Sequence, residues 1–419
     1  MKKRMIYASA VALFLAATPA FAQSGTSNAA AITQEGRLNV AAASQVNGTG
    51  NGAAIAQEGR SNAASSLQVN GADNASAISQ EGAMNRAAVA QFGGLDNSAA
   101  VEQEGTMNRA AIAQTGGEDN DADIDQDGLG NDARISQFGG EDNEADIDQD
   151  GFRNMAGAAQ TGGEDNDIDV EQDGSLNMAG VSQVGGEENS TEIMQDGYRN
   201  TAVVSQVGGY DNEADIDQDG ARNYAEVTQL GGENNDGDIE QTGDDNAAYV
   251  SQVGGDDNDT EIMQDGDDNT AYSSQLGGAD NMATIDQDGD DNLASVAQAG
   301  YDNMATIDQD GEYHVAGIAQ LGEGNEATIT QTGDYQTAVV AQSGEDNLAT
   351  VLQENHGNTA LVGQLGRGNS ADVHQWGEHG TAVVGQAGWG HSATVRQGGA
   401  GNAAVVGQSG IRNTAVITQ

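Results

Sequence analysis

The chain has no cysteine and a single proline, Pro19, in 419 residues. The first absence removes disulfides, thiol nucleophiles and thiolate metal sites. The second leaves four hundred residues free of the one side chain that cannot donate to a backbone ladder. Aromatic residues make up 4% of the chain, too few for a large globular core. Lysine occurs only at Lys2 and Lys3, and the net charge is −52. Nucleic acids and anionic membrane surfaces are recognised by basic patches, so neither is expected as a partner. No apolar run after residue 22 is long enough to span a membrane.

The first residues read as an export signal. Lys2, Lys3 and Arg4 form a basic start, Met5 to Ala17 an apolar run, and Ala20-Phe21-Ala22 a small-residue cleavage site. Residues 1–22 are therefore expected to be removed. The mature chain then begins at Gln23, in an envelope or extracellular compartment, with a charge of about −55 (three cations fewer than −52). The abundance of Gly, Asp, Asn and Gln, taken alone, points to disorder. The order of those residues points the other way.

From Asn28 to Gln419 the chain repeats Asn-x-Ala-x-Ile/Val-x-Gln-x-Gly 35 times. Asn120, Ala122, Ile124, Gln126 and Gly128 form one unit, and Asn131, Ala133, Ile135, Gln137 and Gly139 the next. Gln is invariant, from Gln34 and Gln45 to Gln408 and Gln419. The Asn position, occupied by Asn28, Asn39, Asn402 and Asn413 near the two ends, departs only at His314, Gln336, Gly380 and His391. The aliphatic position departs only at Ala43, Ser66, Ala158 and Ser273. Units alternate between 11 and 12 residues as far as Asn292 and keep to 11 thereafter. This divides the mature chain into 23–292 and a less acidic 293–419 that carries all five His and both Trp.

A period this short excludes helical repeats, which need some 30 to 45 residues. Within each unit the anchors alternate with period two, the signature of a strand. The fold class expected is all-β: a solenoid of strand-turn-strand rungs, two facing parallel sheets with cross-β stacking and uncapped ends. Gly supplies the positive φ of sharp turns. Ala of one strand is expected to face Ile or Val of the other, small against large. Ile124, Ile135, Ile147, Val181, Ile193 and Val204 are then core ladder residues. Identical Asn and Gln amides stacked at about 4.8 Å are expected to hydrogen-bond along the stack. Open end strands template the addition of another chain.

The order Gln103-Glu104-Gly105-Thr106-Met107-Asn108-Arg109-Ala110-Ala111-Ile112-Ala113-Gln114 resembles the curlin repeat. The resemblance covers residues 28 to 419. It implies a secreted subunit of a bacterial extracellular amyloid of the curli type, acting in biofilm and adhesion at the surface of a Gram-negative-type cell. It further implies self-assembly as a homopolymer, a nucleator subunit as partner and passage from the periplasm through a dedicated outer-membrane pore. The chain departs from the familiar curlins in its number of repeats, its short stretch before Asn28 and its negative charge.

Strand alternation places acids on one face: Asp123, Asp125 and Asp127; Asp146, Asp148 and Asp150; Asp215, Asp217 and Asp219. Intervening strands carry neutral groups there, such as Thr201, Val203, Ser205 and Val207. Like charges about 5 Å apart repel by roughly 1 kcal/mol even in water. Two readings stay open. The acids keep the chain soluble during export, or they bind Ca²⁺ along the ladder, which makes a soluble, calcium-stabilised surface rod the alternative function. Asp215 to Glu226 satisfies an EF-hand pattern, but strand signals flank it where that motif needs helices. A flat ice- or mineral-binding face needs a regular outward Thr or acidic lattice; the Thr lattice is read as absent and the acidic one as present, which leaves mineral binding open. His314 and His391 occupy Asn positions and read as ladder substitutes. No catalytic constellation is present: the paired carboxylates lack an apolar pocket to separate their pKa values, so no enzyme is expected.

Overall fold

The computed structural model describes residues 20–419; residues 1–19 of the expected export signal lie outside them. Every element from Ala20–Thr26 to Thr414–Thr418 is a strand. Strands alternate between two sheets of 18, and each strand pairs with the second one before and after it in sequence. All pairs are parallel, and all but two keep one register from end to end. Asp121–Leu129 lies against Glu144–Phe152 with Ile124 beside Ile147 and Gln126 beside Gln149. Asp132–Phe138 lies against Met155–Thr161 with Ala133 beside Ala156 and Gln137 beside Gln160. One strand from each sheet and the two turns between them make one rung of a β-solenoid. Each sheet is an open ladder. The strands Ala29–Arg37 and Thr414–Thr418 at its two ends are paired on one side only.

The core lies between the sheets and is two residues deep per strand. The Ala and Ile/Val anchors are buried along the whole stack, with Ile124, Ile168, Ile193 and Ile262 completely enclosed. Small faces large, because an aliphatic residue of one sheet sits between two Ala positions of the other. Gly237, at an Ala position, has Val227 and Val250 above its Cα. The same offset explains three of the four aliphatic exceptions. Ser66 Oγ meets Ser76 Oγ at 2.6 Å, and Ser273 Oγ meets Thr260 Oγ1 at 3.2 Å, so each buried hydroxyl has a partner. Ala158 stands ten residues before Ile168, which fills an Ala position, so the volume lost on one side is restored on the other. Ala43 has no such complement in the structure.

Turns are built from Gly and from the residue before each Asn. In Gly139-Gly140-Glu141-Asp142-Asn143 both glycines and Asp142 have positive φ (72°, 84° and 53°). Asp and Asn tolerate this conformation better than most side chains, which accounts for the recurrent Asp-Asn pair. Arg153, Leu176 and Tyr313 adopt it too. The change from alternating to constant spacing is absorbed at one place. The pairing of Thr270–Ala279 with Leu293–Tyr301 slips between Gln275 and Gly278, and both sheets continue without a break.

Candidate assembly surfaces

The Gln anchors form two unbroken ladders. In one sheet, each Gln Nε2 donates to the Oε1 of the Gln one rung later. The series runs from Gln34 to Gln57 (2.6 Å) through Gln126 to Gln149 (2.7 Å) and ends at Gln397 to Gln419 (3.1 Å). In the other sheet the series runs from Gln45 to Gln68 (2.8 Å) through Gln137 to Gln160 (2.9 Å) to Gln386 to Gln408 (2.8 Å). The second amide hydrogen goes across the core to a backbone carbonyl, as Gln137 Nε2 does to Asp121 O at 2.7 Å. Buried amides along the ladders are thereby satisfied at both ends, the Oε1 of Gln45 excepted.

The Asn positions behave differently from the expectation of simple amide ladders. Each Asn Oδ1 accepts the backbone N–H of the Asn one rung on, as Asn120 Oδ1 does from Asn143 N at 3.1 Å. In the series through Asn120 a side-chain bond is added, Asn143 Nδ2 to Asn120 Oδ1 at 3.0 Å. In the series through Asn131 the Nδ2 turns instead to the bend, with Asn131 bonding Asp127 O at 2.8 Å and Asn39 bonding Glu35 O at 2.7 Å. The side chain caps that carbonyl. The two His substitutes copy this role. His314 Nδ1 accepts Gln336 N–H at 3.3 Å while Nε2 lies 3.3 Å from Asp310 O. His391 Nδ1 accepts Asn413 N–H at 3.1 Å. Gln336 copies only the bend cap, with Nε2 donating to Thr332 O at 2.9 Å, and Gly380 copies neither part. The Oε1 of Gln336 is buried without a partner, and Gly380 offers no oxygen to the rung of Asn402. Asn413 still caps Ser409 O at 2.8 Å.

Carboxylates stack on one sheet. Asp123, Asp146, Asp169, Glu192, Asp215, Asp238 and Glu261 form one continuous column. Asp125, Asp148 and Glu171 form a second, closed by Met194. Asp127, Asp150, Asp173, Asp196 and Asp219 form a third, closed by Thr242. Desolvation on this crowded face, followed by the like charges of neighbours, pushes the carboxyls up: Asp123, Asp125 and Asp215 to about 6, Asp146 to about 7 and Asp238 to about 8. Asp215, Asp217 and Asp219 project from the strand Glu213–Ala221, not from a loop. Among the described residues no group of three or more His, Asp or Glu side chains is placed to hold a metal ion. Further along the same sheet the acids give way to threonine. Thr284, Thr306, Thr328 and Thr350 stack in register as a single column, short of the regular lattice that an ice-binding face needs.

The curlin associated repeat matches the chain fifteen times, within residues 25–59, 94–377 and 391–419. This chain belongs to the curlin repeat family. That family is a structural one, and it implies self-assembly. No curated protein matches the chain. Among the described residues of this curlin no helix is long and apolar enough to cross a membrane.

Several features of the curlin went unread in its sequence. Arg222 forms a bidentate pair with Asp245 one rung on, at 2.7 and 2.5 Å, both groups being exposed. Tyr313, Tyr335, His356 and His379 follow one another along a bend with ring centroids 4.7 to 5.3 Å apart, the two Tyr stacked and the His rings edge-on. Successive positions lie 22, 21 and 23 residues apart, so a spacing close to one rung was the signal available.

Proposed function

We propose that this curlin is a secreted subunit that assembles end to end into an extracellular amyloid fibre, giving structure and adhesion to a biofilm. The observation that carries the proposal is the polarity of the Gln ladders. Every Nε2 donates toward the C-terminal neighbour, so one end of the stack offers an acceptor, Gln34 Oε1, and the other a donor, Gln419 Nε2. A second copy placed on either end continues both ladders and the backbone pairing without reversing a single bond. Cleavage after Ala22 leaves Gln23 as the first mature residue, in register with Gln45. Export through a curli-type outer-membrane pore, and help from a nucleator subunit, follow from the family and from the expected signal in residues 1–22.

The test is thioflavin fluorescence with electron microscopy on residues 23–419. Fibres that grow after a lag and are seeded by fragments are expected. Gln419→Glu replaces the terminal donor by a group that only accepts, and elongation from seeds is expected to slow several-fold. A β-rich monomer that never seeds, and melts higher with Ca²⁺, overturns the fibre reading in favour of a calcium-stabilised rod.

A further inference from the structure

In a chain of charge −52, one surface carries four uncharged columns, with Glu323, Glu345 and Arg367 only beyond the Gly bend at its edge. It is the outward face of the seven strands from Thr270–Ala279 to Ala403–Ile411, on the sheet opposite the acids. Its middle column is a floor of small residues, Ser274, Ala297, Ala319, Ala341, Gly363, Gly385 and Gly407, stacked in register. Beside it runs a ridge in which Leu276, Leu321 and Leu365 alternate with Ala299, Ser343 and Ala387. The three leucines are 59 to 61% exposed. Floor and ridge enclose an open groove of about 850 Å³ whose lining is mainly apolar.

We propose that this groove is covered by the same face of a second copy, so that two solenoids run side by side. Three observations select that occupant. The shape is self-complementary: a two-fold axis parallel to the solenoid, between ridge and floor, sets each copy's leucines over the other's small residues, a dry zipper of the cross-β kind. The charge is selective, because the acidic columns lie on the far sheet and point away from the contact. The size is sufficient. The overlap about that axis spans seven rungs at about 4.8 Å and four columns at about 6.6 Å per pair of residues, the ridge, the floor and the column on either side of them, or roughly 700 Å² per copy, close to the ~800 Å² of a standard stable interface. The axis also preserves the polarity of both chains, so pairing extends rung by rung as ends grow. Pairing goes beyond the fibre reading and does not need it, since two soluble rods present the same faces.

The mature chain, residues 23–419, is examined by mass per unit length of any fibres and by sedimentation equilibrium of the soluble fraction. Two chains per cross-section, or a soluble dimer, are expected. Ala319→Glu with Ala341→Glu puts two carboxylates on the exposed floor and is expected to halve the mass per length while seeded elongation continues. Thr328→Glu with Thr350→Glu adds the same charge to the far sheet and leaves the value unchanged. Leu321→Ser with Leu365→Ser removes the ridge without adding charge, and weakens pairing at least tenfold in dimer dissociation constant. If no fibres form, the fibre reading fails, and a dimer converted to monomer by the floor variant still supports pairing. A single chain per cross-section together with a monomeric soluble wild type, or a floor variant that stays paired, overturns the proposal.

Discussion

Gln126 donates to Gln149 and accepts from Gln103, in a buried column. Gln126→Leu keeps the volume but strands both neighbours' amide groups. The expected loss is about 3 kcal/mol, from roughly 1–3 kcal/mol per buried polar group left without a partner, measured by urea unfolding. His314 works as an amide only while neutral, since Nδ1 must accept an N–H. Burial lowers its pKa from 6.5. A lowered folded pKa means that its contribution is complete above about 6.5 and is lost as pH falls through the folded value. His314→Asn is expected to remove that loss: the stability gap between variant and wild type should widen from pH 7 to pH 5. Leu176 holds φ at 61°, which costs a branched side chain about 1–2 kcal/mol. Leu176→Gly is expected to raise stability by about 1 kcal/mol, less the added freedom of the unfolded chain.

Strands and turns set the next scale. Gly128 has φ of 106°, and a Cβ there would fall on the carbonyl oxygen of Gly151 in the next rung. Gly128→Ala is expected to cost more than about 1 kcal/mol and to open the bend locally, read as faster amide exchange around residues 128 and 151. On the acidic sheet the sign of the pH effect is opposite to that of His314. Carboxyls whose folded pKa is raised above 3.8 contribute stability below that value and lose it as pH rises through about 6 to 8. The melting temperature is therefore expected to fall from pH 5 to pH 8, and Asp146→Asn with Asp238→Asn to flatten the profile. A melting temperature that rises over that interval would contradict the stacked carboxyl columns. Because many carboxyls oppose a few His, the acidic columns dominate the net slope.

At the scale of the molecule, stability is a sum over neighbouring rungs, as in other solenoids. The same sum continues across a junction between copies, where end strands present unpaired groups. Repulsion along the acidic columns opposes that junction and is screened by salt. Mild acid, or Ca²⁺ at millimolar level, is expected to shorten the lag of assembly, and rates indifferent to both would remove the acidic face from the assembly mechanism.

The period of the Asn, Ala, Ile/Val, Gln and Gly anchors was enough to determine the all-β solenoid, its parallel register, the buried face and the Gln ladders, because alternation and chain length leave few other ways to bury them. Residue identity could not show how Asn131 and Asn143 divide their amides between bend and ladder, since that depends on how close the turn carbonyl comes. Nor could it show that Ser66 is matched by Ser76, Ser273 by Thr260 and Ala158 by Ile168, because the offset between facing sheets is a property of the wound chain. The leucine ridge repeats over 44 to 45 residues, two rungs, from Leu276 to Leu321 to Leu365. Only winding the chain sets those leucines side by side over a floor of Ala and Gly, for contacts between rungs join residues that the sequence holds far apart.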